Sequence, residues 1–290
     1  MHGSCKAKIR QLPAVLWRVW NIHIKFRWNR KGQGDMRIDL NSDLGESFGD
    51  YKIGNDQALL PYVTSVNVAC GWHAGDPMVM DRTVALAKER GIGVGAHPGY
   101  YDLMGFGRRK MNLKPEEITN YIKYQVGALM AFTKSHGIRL QHVKTHGALG
   151  NLSMVDEATA HAVCRAVADL DEGLLLYSHS GAKLIDIAKQ YGIRVVSEVY
   201  GDRGYTDDGM LAPRSMPGAM IHDVDEAVER SIRMICEGTV VSVAGKVIPV
   251  QADSLCVHGD TPEAVAFLER ISQALRAKGI EIRNILSEEA

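Results

Sequence analysis

The chain has 290 residues, of which 46% are hydrophobic and 23% charged, and its formal net charge is zero. This composition is typical of a globular protein with a large buried core. Residues 36–290 carry 26 Lys and Arg against 33 Asp and Glu, which excludes the basic stripe that nucleic-acid binding needs. No apolar run approaches the roughly 18 residues of a membrane-spanning helix.

The first 35 residues differ from the rest of the chain. They hold eight Lys and Arg, one acidic residue and three of the four tryptophans. This pattern predicts either a membrane-surface or targeting segment or a start codon placed too early, with Met36 as the true start. We therefore expect a basic, Trp-rich extension over 1–35, disordered or mis-called, and a single domain over 36–290.

The cysteines indicate a reducing compartment. Their number is odd and no C-x-x-C pair occurs, which argues against a disulfide scaffold and against a thiolate zinc site. A cytoplasmic location is expected. The five residues are Cys5, Cys70, Cys164, Cys236 and Cys256.

From Met36 onward, short apolar runs alternate with amphipathic stretches. The apolar runs predict strands at 36–41, 65–70, 92–97, 140–145, 174–179, 193–199 and 254–259. The amphipathic stretches predict helices at 77–90, 115–136, 156–170, 181–191, 222–237 and 261–278. Residues 239–250 predict a hairpin about Ala244 and Gly245.

Apolar strands joined by helices indicate a parallel sheet covered by helices. Seven such units in about 250 residues predict an α/β fold, a closed (β/α)7-type barrel. A doubly wound open sheet is the alternative. No linker, repeat or low-complexity tract divides residues 36–290.

Ionisable side chains follow every predicted strand at the same end. In a (β/α) barrel these ends form the functional face, so the side chains are expected to converge on one rim. A single histidine there is usually a cap or a core residue, but several converging histidines are typical of an active site. The candidates are Asp43, Glu46, His73, Asp76, His97, Lys144, His146, Glu198, Arg203 and His258.

These residue types support several kinds of chemistry. Histidine is the usual general acid or base near neutral pH. Asp43, His73 and His97 follow three successive strands and could instead hold a divalent metal ion, which would lower the pKa of a bound water. Lys144 is either a charge for a carboxylate or phosphate or a strand-end lysine reaching solvent. Asp76 belongs either to the site or to the first turn of a helix, where the dipole favours an acid.

Six segments resemble, in order, the blocks of the LamB/YcsF family. The resemblance runs from about Met36 to the last helix and leaves out 1–35. Five positions depart from the usual pattern without removing an ionisable group: Ser42, Trp72, Thr145, Gly150 and Gly201. The segments are RIDLNSDLGESFGDYKIGND, VNVACGWHAGDP, GVGAHPGYYDLMGFGRR, HVKTHGALGN, SEVYGDRGYTDDGMLAPR and LCVHGDTPEA.

The resemblance implies a (β/α)7 barrel similar to the glycoside hydrolase and deacetylase barrels. It implies the A subunit of an ATP-dependent 5-oxoprolinase, which opens the lactam of 5-oxo-L-proline to L-glutamate with ATP hydrolysis, together with B and C subunits. The chain has no G-x-x-x-x-G-K-[ST] loop, which suits ATP being used by the complex rather than by this chain alone.

In that scheme His73 or His146 is the general base, Asp43 orients the base or holds a metal, and the glutamates are acids at the leaving nitrogen. Lysine and arginine neutralise the carboxylate or phosphoryl oxygens of the substrate. The expected catalytic residues are Asp43, Glu46, His73, His97, His146 and Glu198. The expected substrate-binding residues are Lys144, Asp76, Arg203 and His258.

Two rival functions remain open on the sequence. The first is a stand-alone metal-dependent deacetylase or amidohydrolase, which would bind a metal tightly and act without ATP. The second is a non-catalytic, ligand-binding subunit. In that case the full assembly would keep its activity when it carries the His73→Ala substitution.

Overall fold

The structure, a computed structural model, describes residues 36–260 and 263–286. The segment 1–35 lies outside the described residues, so both interpretations of it stay predictions. Ten strands are present in the described part of the chain: β1 Arg37–Leu44, β2 Ser65–Ala69, β3 Gly93–His97, β4 His142–Lys144, β5 Leu175–His179, β6 Val195–Tyr200, β7 Thr239–Val241, β8 Val247–Pro249, β9 Ser254–Cys256 and β10 Glu281–Ile282.

Helices connect most of the strands. Among the described residues, no helix combines the length and the apolar character needed to cross a bilayer. Short 3-10 turns add Leu60–Tyr62 and Leu103–Gly105. The α-helices are α1 Asp56–Leu59, α2 Pro77–Glu89, α3 Pro115–Ser135, α4 Gly147–Val155, α5 Glu157–Leu170, α6 Lys183–Gln190, α7 Val224–Cys236 and α8 Ala264–Ala277.

Seven strands close into a parallel barrel. Strands β1 to β6 pair in chain order, and β9 pairs with both β6 and β1. The predicted (β/α)7 barrel is therefore confirmed, and the open doubly wound sheet is wrong because the last barrel strand hydrogen-bonds to the first. Strand β10 pairs in parallel with the start of β1, and β7 and β8 form the predicted hairpin.

The inside of the barrel is polar, while its outside is apolar. Successive strand residues point to opposite faces, so Ile38 and Leu40 pack in the hydrophobic core while Asp39 and Asn41 are buried among polar neighbours. Asn67 donates to Asn41 Oδ1 at 2.8 Å. The buried polar groups of the interior are paired with one another, as buried polar groups in folded proteins are. This hydrogen-bonded interior supports the strand ends above it.

A small residue in β3 makes room for one of the interior groups. A Cβ atom on Gly95 would overlap the His142 imidazole. His142 Nε2 lies 2.7 Å from Asn67 Oδ1. Burial, followed by the charge of Lys144, lowers the pKa of His142 to about 3. His142 is therefore a neutral donor that holds the interior network together.

The sequence does not predict α1, α4 or β10. Helix α4 contains Gly147 and Gly150, and glycine is a poor helix former. The turn before it is fixed by tertiary contacts, with Ala148 N donating to Gly107 O at 3.0 Å. Tertiary structure thus determines this helix against its local propensity.

Candidate active site

The carboxyl ends of the barrel strands bring most of the predicted residues into one buried cluster. Asp43 is near the end of β1, His97 ends β3, Lys144 ends β4 and Glu198 lies in β6. All four are at most 5% exposed. Buried charges of this kind are stable only when they are paired and hydrogen-bonded.

The Lys144 ammonium lies between two carboxylates. Its Nζ is 2.8 Å from Glu198 Oε1, 3.1 Å from Asp43 Oδ1 and 3.1 Å from Cys256 Sγ. Burial opposes the charge, but Asp43, then Cys256 and Glu198, raise the pKa of Lys144 well above its ordinary value. Burial likewise opposes ionisation of Asp43, but His97 and Lys144 lower the pKa of Asp43 well below its ordinary value. Lys144 is therefore a buried cation, and it does not reach solvent.

Further hydrogen bonds fix both carboxylates. Asn67 Nδ2 donates to Asp43 Oδ1 at 2.8 Å, and Asn41 Nδ2 donates to Glu198 Oε1 at 2.9 Å. The Tyr200 hydroxyl donates to Glu198 Oε2 at 2.5 Å. Both oxygens of Glu198 are thus occupied.

Three imidazoles pack beside this ion pair. The His73 and His146 rings are stacked, with centroids 3.7 Å apart and planes 5° from parallel, and the His97 ring is nearly perpendicular to both. His97 Nδ1–H donates to the Lys144 carbonyl at 2.7 Å, and His146 Nε2–H donates to the Phe106 carbonyl at 2.8 Å. The two carbonyls determine which ring nitrogen carries hydrogen, because a carbonyl oxygen only accepts.

The Glu46 carboxyl group and the His73 imidazole lie next to each other in the cluster. Glu46 Oε1 is 3.8 Å from His73 Nε2, and neither ring nitrogen of His73 has a hydrogen-bond partner in the described part of the chain. Burial, followed by Asp43 and Asp260, raises the pKa of Glu46 well above its ordinary value. Burial, followed by His97, lowers the pKa of His73 well below its ordinary value. Both shifts favour uncharged forms, a protonated Glu46 beside a neutral His73.

A cavity of about 480 Å³ opens onto the cluster. Its walls come from the strand ends, from α4 and from the segment after β6. Three predicted residues, Glu46, His73 and Glu198, do not line the cavity. His73 stacks on His146 and Glu198 pairs with Lys144, and both partners line it. The predicted residues that line the cavity are Asp43, His97, Lys144, His146, Arg203 and His258.

Three arginines give the cavity an excess of positive charge. Arg203 is 7% exposed and donates to Ala212 O at 2.7 Å, and Arg108 pairs with Asp260 at 2.6 Å. Burial, followed by Arg108 and Arg203, lowers the pKa of Arg214. Within the described residues neither Arg203 nor Arg214 has a carboxylate within 4.0 Å. The cavity is therefore suited to an anionic ligand.

His258 is held at the cavity wall by a buried carboxylate. Asp202 Oδ2 accepts from His258 Nδ1 at 2.8 Å and from its backbone N–H at 3.2 Å. Burial opposes ionisation, but His258 lowers the pKa of Asp202 below its ordinary value. This pair orients the imidazole toward the cavity that His258 lines.

Asp76 is not brought to the cavity. Its Oδ1 accepts from Met78 N at 2.8 Å and from Val79 N at 2.9 Å at the start of α2, and its Oδ2 accepts from Gly49 N at 2.7 Å. Since both oxygens serve backbone N–H groups, Asp76 caps a helix and ties down a loop. The structure does not place it as a substrate ligand.

Several site residues are missed by sequence reasoning. Asn67 could have been found from the period-2 alternation of β2, which points it inward. Arg108 lies in a segment that resembles the family but carries no strand-end signal. Arg214, in the irregular segment after β6, has no sequence signal that separates it from a surface arginine. The other missed residues are Tyr200 and Cys256.

Among the described residues, two groups of side chains could hold a metal ion. Within each group one possible ligand atom per residue lies within 4.8 Å of the others. The predicted trio of Asp43, His73 and His97 is divided between them, although Asp43 Oδ2 is 3.3 Å from His97 Nε2. The first group is Glu46, His73, His97 and His146, and the second is Asp43, Cys256 and His258.

Comparison with known proteins gives consistent matches. The LamB/YcsF family profile matches residues 38–290. A protein from Pyrococcus horikoshii, named as the A subunit of 5-oxoprolinase, is 53% identical over 247 residues, covering 85% of this chain and 97% of the relative. A protein of the same name from Campylobacter jejuni is 51% identical over 246 residues, covering 85% and 96%. The crystal structure of a lactam utilization protein from Thermus thermophilus has a TM-score of 0.81 and 46% identity, covering 86% of this chain and 99% of that one.

Proposed function

This chain belongs to the LamB/YcsF family, and we propose that it is the A subunit of an ATP-dependent 5-oxoprolinase. Together with B and C subunits it would open the lactam of 5-oxo-L-proline to L-glutamate. The names of the relatives, which are matched over nearly their whole length, support this role. The observation that carries the proposal is the buried charged cluster opening into a cavity lined by arginines.

The chemistry needs an activated lactam. Conjugation between nitrogen and carbonyl stabilises an amide against water, and phosphorylating the carbonyl oxygen removes that conjugation. We assign this ATP-dependent step to the partner subunits. The product would carry a carboxylate and a phosphoryl group, and the positive charge of Arg203 and Arg214 supports binding of such a polyanion.

Water addition then needs a base, and cleavage of the ring carbon–nitrogen bond needs an acid. Ring opening leaves a γ-acyl phosphate, whose hydrolysis releases L-glutamate and inorganic phosphate. His146, with His97 beside it, lines the cavity, so we assign the base to this pair. His73 is enclosed and stacks behind His146, so it supports the ring rather than meeting the substrate. Glu46, whose pKa is raised by burial, followed by Asp43 and Asp260, also lies outside the cavity lining and does not meet the substrate. The His97–His146 pair that takes a proton from water therefore returns one to the leaving nitrogen. Glu198 has both oxygens occupied and holds Lys144 in place instead.

We further propose a cytoplasmic location. The described cysteines, Cys70, Cys164, Cys236 and Cys256, are all free. Free thiols are the usual state of cysteine in the cytosol, and this supports the assignment.

The test is glutamate release from 5-oxo-L-proline. The full chain is assayed alone and with its B and C partners, with and without ATP. Release only when partners and ATP are both present is the expected result. Release by the chain alone would overturn the proposal in favour of a stand-alone amidohydrolase. No release under any condition would overturn 5-oxo-L-proline as the substrate.

A further inference from the structure

The His258 imidazole is held on one edge and on one face. Its Nδ1 lies 2.8 Å from Asp202 Oδ2, which also accepts from the His258 backbone N–H at 3.2 Å. Its ring stacks on that of Tyr200, with centroids 5.6 Å apart and planes 18° from parallel. Asp202 and Tyr200 are both buried, so neither support turns away into solvent. The ring is therefore fixed in one orientation at the cavity wall.

This orientation leaves one ring nitrogen for a ligand. The Asp202 carboxylate only accepts hydrogen bonds, so it selects the form with hydrogen on His258 Nδ1. Nε2 lies on the other edge of the ring, and within the described residues it has no hydrogen-bond partner. His258 lines the cavity. An imidazole that is oriented by a buried carboxylate through its other nitrogen is the arrangement by which hydrolases activate a nucleophile.

Strand order places His258 across the cavity from the His97–His146 pair. His97 ends β3, and His146 follows β4, the next strand of the barrel. His258 follows β9, which pairs with β6 and β1. In the closed ring, β9 is three strands from β3 by way of β1 and three strands from β4 by way of β6. The cavity thus carries histidines on opposite sides of the barrel mouth.

The proposed reaction consumes two waters at the same carbon atom. The first adds to the phosphorylated lactam, and the His97–His146 pair takes its proton and returns one to the leaving nitrogen. The new amino group therefore lies on the side of that pair, where it obstructs a second water. The second water attacks the γ-acyl phosphate. A base on the other side of the carbon suits this step.

We propose that His258, oriented by Asp202, is the general base for the second water. Its Nε2 takes a proton as the water oxygen bonds to the acyl carbon, and inorganic phosphate leaves with the electron pair of the broken carbon–oxygen bond. Arg203 lines the same cavity and supplies positive charge for the departing phosphate. His258 is thus a catalytic residue rather than the substrate ligand expected from the sequence. This inference rests on the proposed function.

Loss of this base has a consequence that loss of a binding residue does not have. A γ-acyl phosphate that is not hydrolysed carries its own amino group, and closure of the five-membered ring is favoured by proximity. The amine then attacks the acyl carbon, phosphate leaves and 5-oxo-L-proline forms again. ATP is consumed without release of glutamate, so the ratio of ADP to glutamate rises.

The test is the ratio of ADP to glutamate formed by the reconstituted complex at saturating 5-oxo-L-proline. The wild type should form the two in equal amounts. In His258→Ala, glutamate release should fall by about 100-fold or more while ADP formation continues, because a general base is removed. Added hydroxylamine should trap the acyl phosphate as a hydroxamate in this variant. Asp202→Asn should raise the ratio with little change in KM, because it keeps Nε2 but no longer selects the hydrogen on Nδ1.

His136→Ala is the matched control, since His136 Nε2 lies 2.8 Å from Asp81 Oδ1 in a pair that does not line the cavity. This variant should form ADP and glutamate in equal amounts. Size-exclusion chromatography confirms that each variant assembles. His258→Gln, which still donates a hydrogen bond, replaces His258→Ala if the alanine variant does not assemble.

The outcomes separate this inference from the proposed function. An unchanged ratio in the His258 variant, with or without a raised KM, would overturn the base and leave His258 a substrate ligand at most. Parallel loss of ADP and glutamate would also overturn it, because His258 would then act before the acyl phosphate forms. Failure of the proposed function is distinct, since the wild-type complex would then release no glutamate.

Discussion

At the scale of single residues, Lys144 is the counter-charge between two carboxylates, Asp43 and Glu198, that are at most 5% exposed. Replacing it with the apolar Met leaves Asp43 and Glu198 facing each other without a counter-charge. We expect Lys144→Met to lower the free energy of unfolding by about 3–5 kcal/mol, as loss of one partner of a buried ion pair does. Urea unfolding at neutral pH measures this change.

The matched control is a surface ion pair. Lys123 and Asp169 pair on the surface, with side chains 33% and 49% exposed. Lys123→Met should cost less than about 1 kcal/mol, because water already solvates both charges. Similar losses in both variants would contradict the account of Lys144 as a buried, structure-determining cation.

At the scale of elements, α4 shows how tertiary contacts decide a helix. A Cβ atom on Gly150 would lie 2.6 Å from the Thr145 carbonyl oxygen, so glycine is required by close packing. We expect Gly150→Ala to destabilise the protein by about 1–3 kcal/mol through overpacking, despite the better helix propensity of alanine.

Gly127 in α3 is the matched control, since nothing lies within 4 Å of a Cβ atom there. Gly127→Ala should raise the free energy of unfolding by about 0.5–1 kcal/mol. Denaturant midpoints of the two variants should therefore move in opposite directions from the wild type. Stabilisation by both substitutions would show that the turn before α4 is not closely packed.

The loop after β3 contacts the site through Phe106, whose carbonyl accepts from His146 Nε2. The φ of Phe106 is 52°, in the left-handed region that bulky residues avoid. Asp102 fixes this loop by accepting from Gly105 N at 3.0 Å and from the Arg109 side chain. The Arg109 hydrogen bond, against a smaller effect of burial, lowers the pKa of Asp102 below its ordinary value of 3.8. The stabilisation is complete above that value and is lost as pH falls through the folded pKa.

Asp102→Asn should therefore lower the melting temperature at neutral pH, and the difference from the wild type should shrink as pH falls below about 4. Thermal unfolding followed by circular dichroism at a series of pH values measures this. A difference that stays constant across the series would mean that the charge of Asp102 contributes nothing.

At the scale of the whole molecule, the barrel was predictable because apolar strands alternate regularly with helices. The convergence of Asp43, His97 and Lys144 followed from it, since parallel strands bring their carboxyl ends to one rim. The order of the histidines within the rim was not predictable. It depends on the Phe106 and Lys144 carbonyls, which set ring orientation and have no sequence signal.

Two features needed the folded structure. Arg214 reaches the cavity from an irregular segment, where neither period nor turn chemistry indicates the direction of a side chain. On the sequence, Asp76 could be either a site residue or an acid in the first turn of a helix. An aspartate directly before a helix fits both interpretations. Only its bonds to Met78, Val79 and Gly49 distinguish them.

The most direct test of the central claim is the turnover number of the reconstituted complex for glutamate release with His146→Ala. We expect kcat to fall by about 100-fold or more, because a positioned base is removed. Asp76→Asn, which keeps the helix cap, should stay within about threefold of the wild type, and size-exclusion chromatography should show complete assembly for both. A His146→Ala complex that assembles and turns over within about threefold of the wild type would contradict the account and leave this chain a ligand-binding subunit.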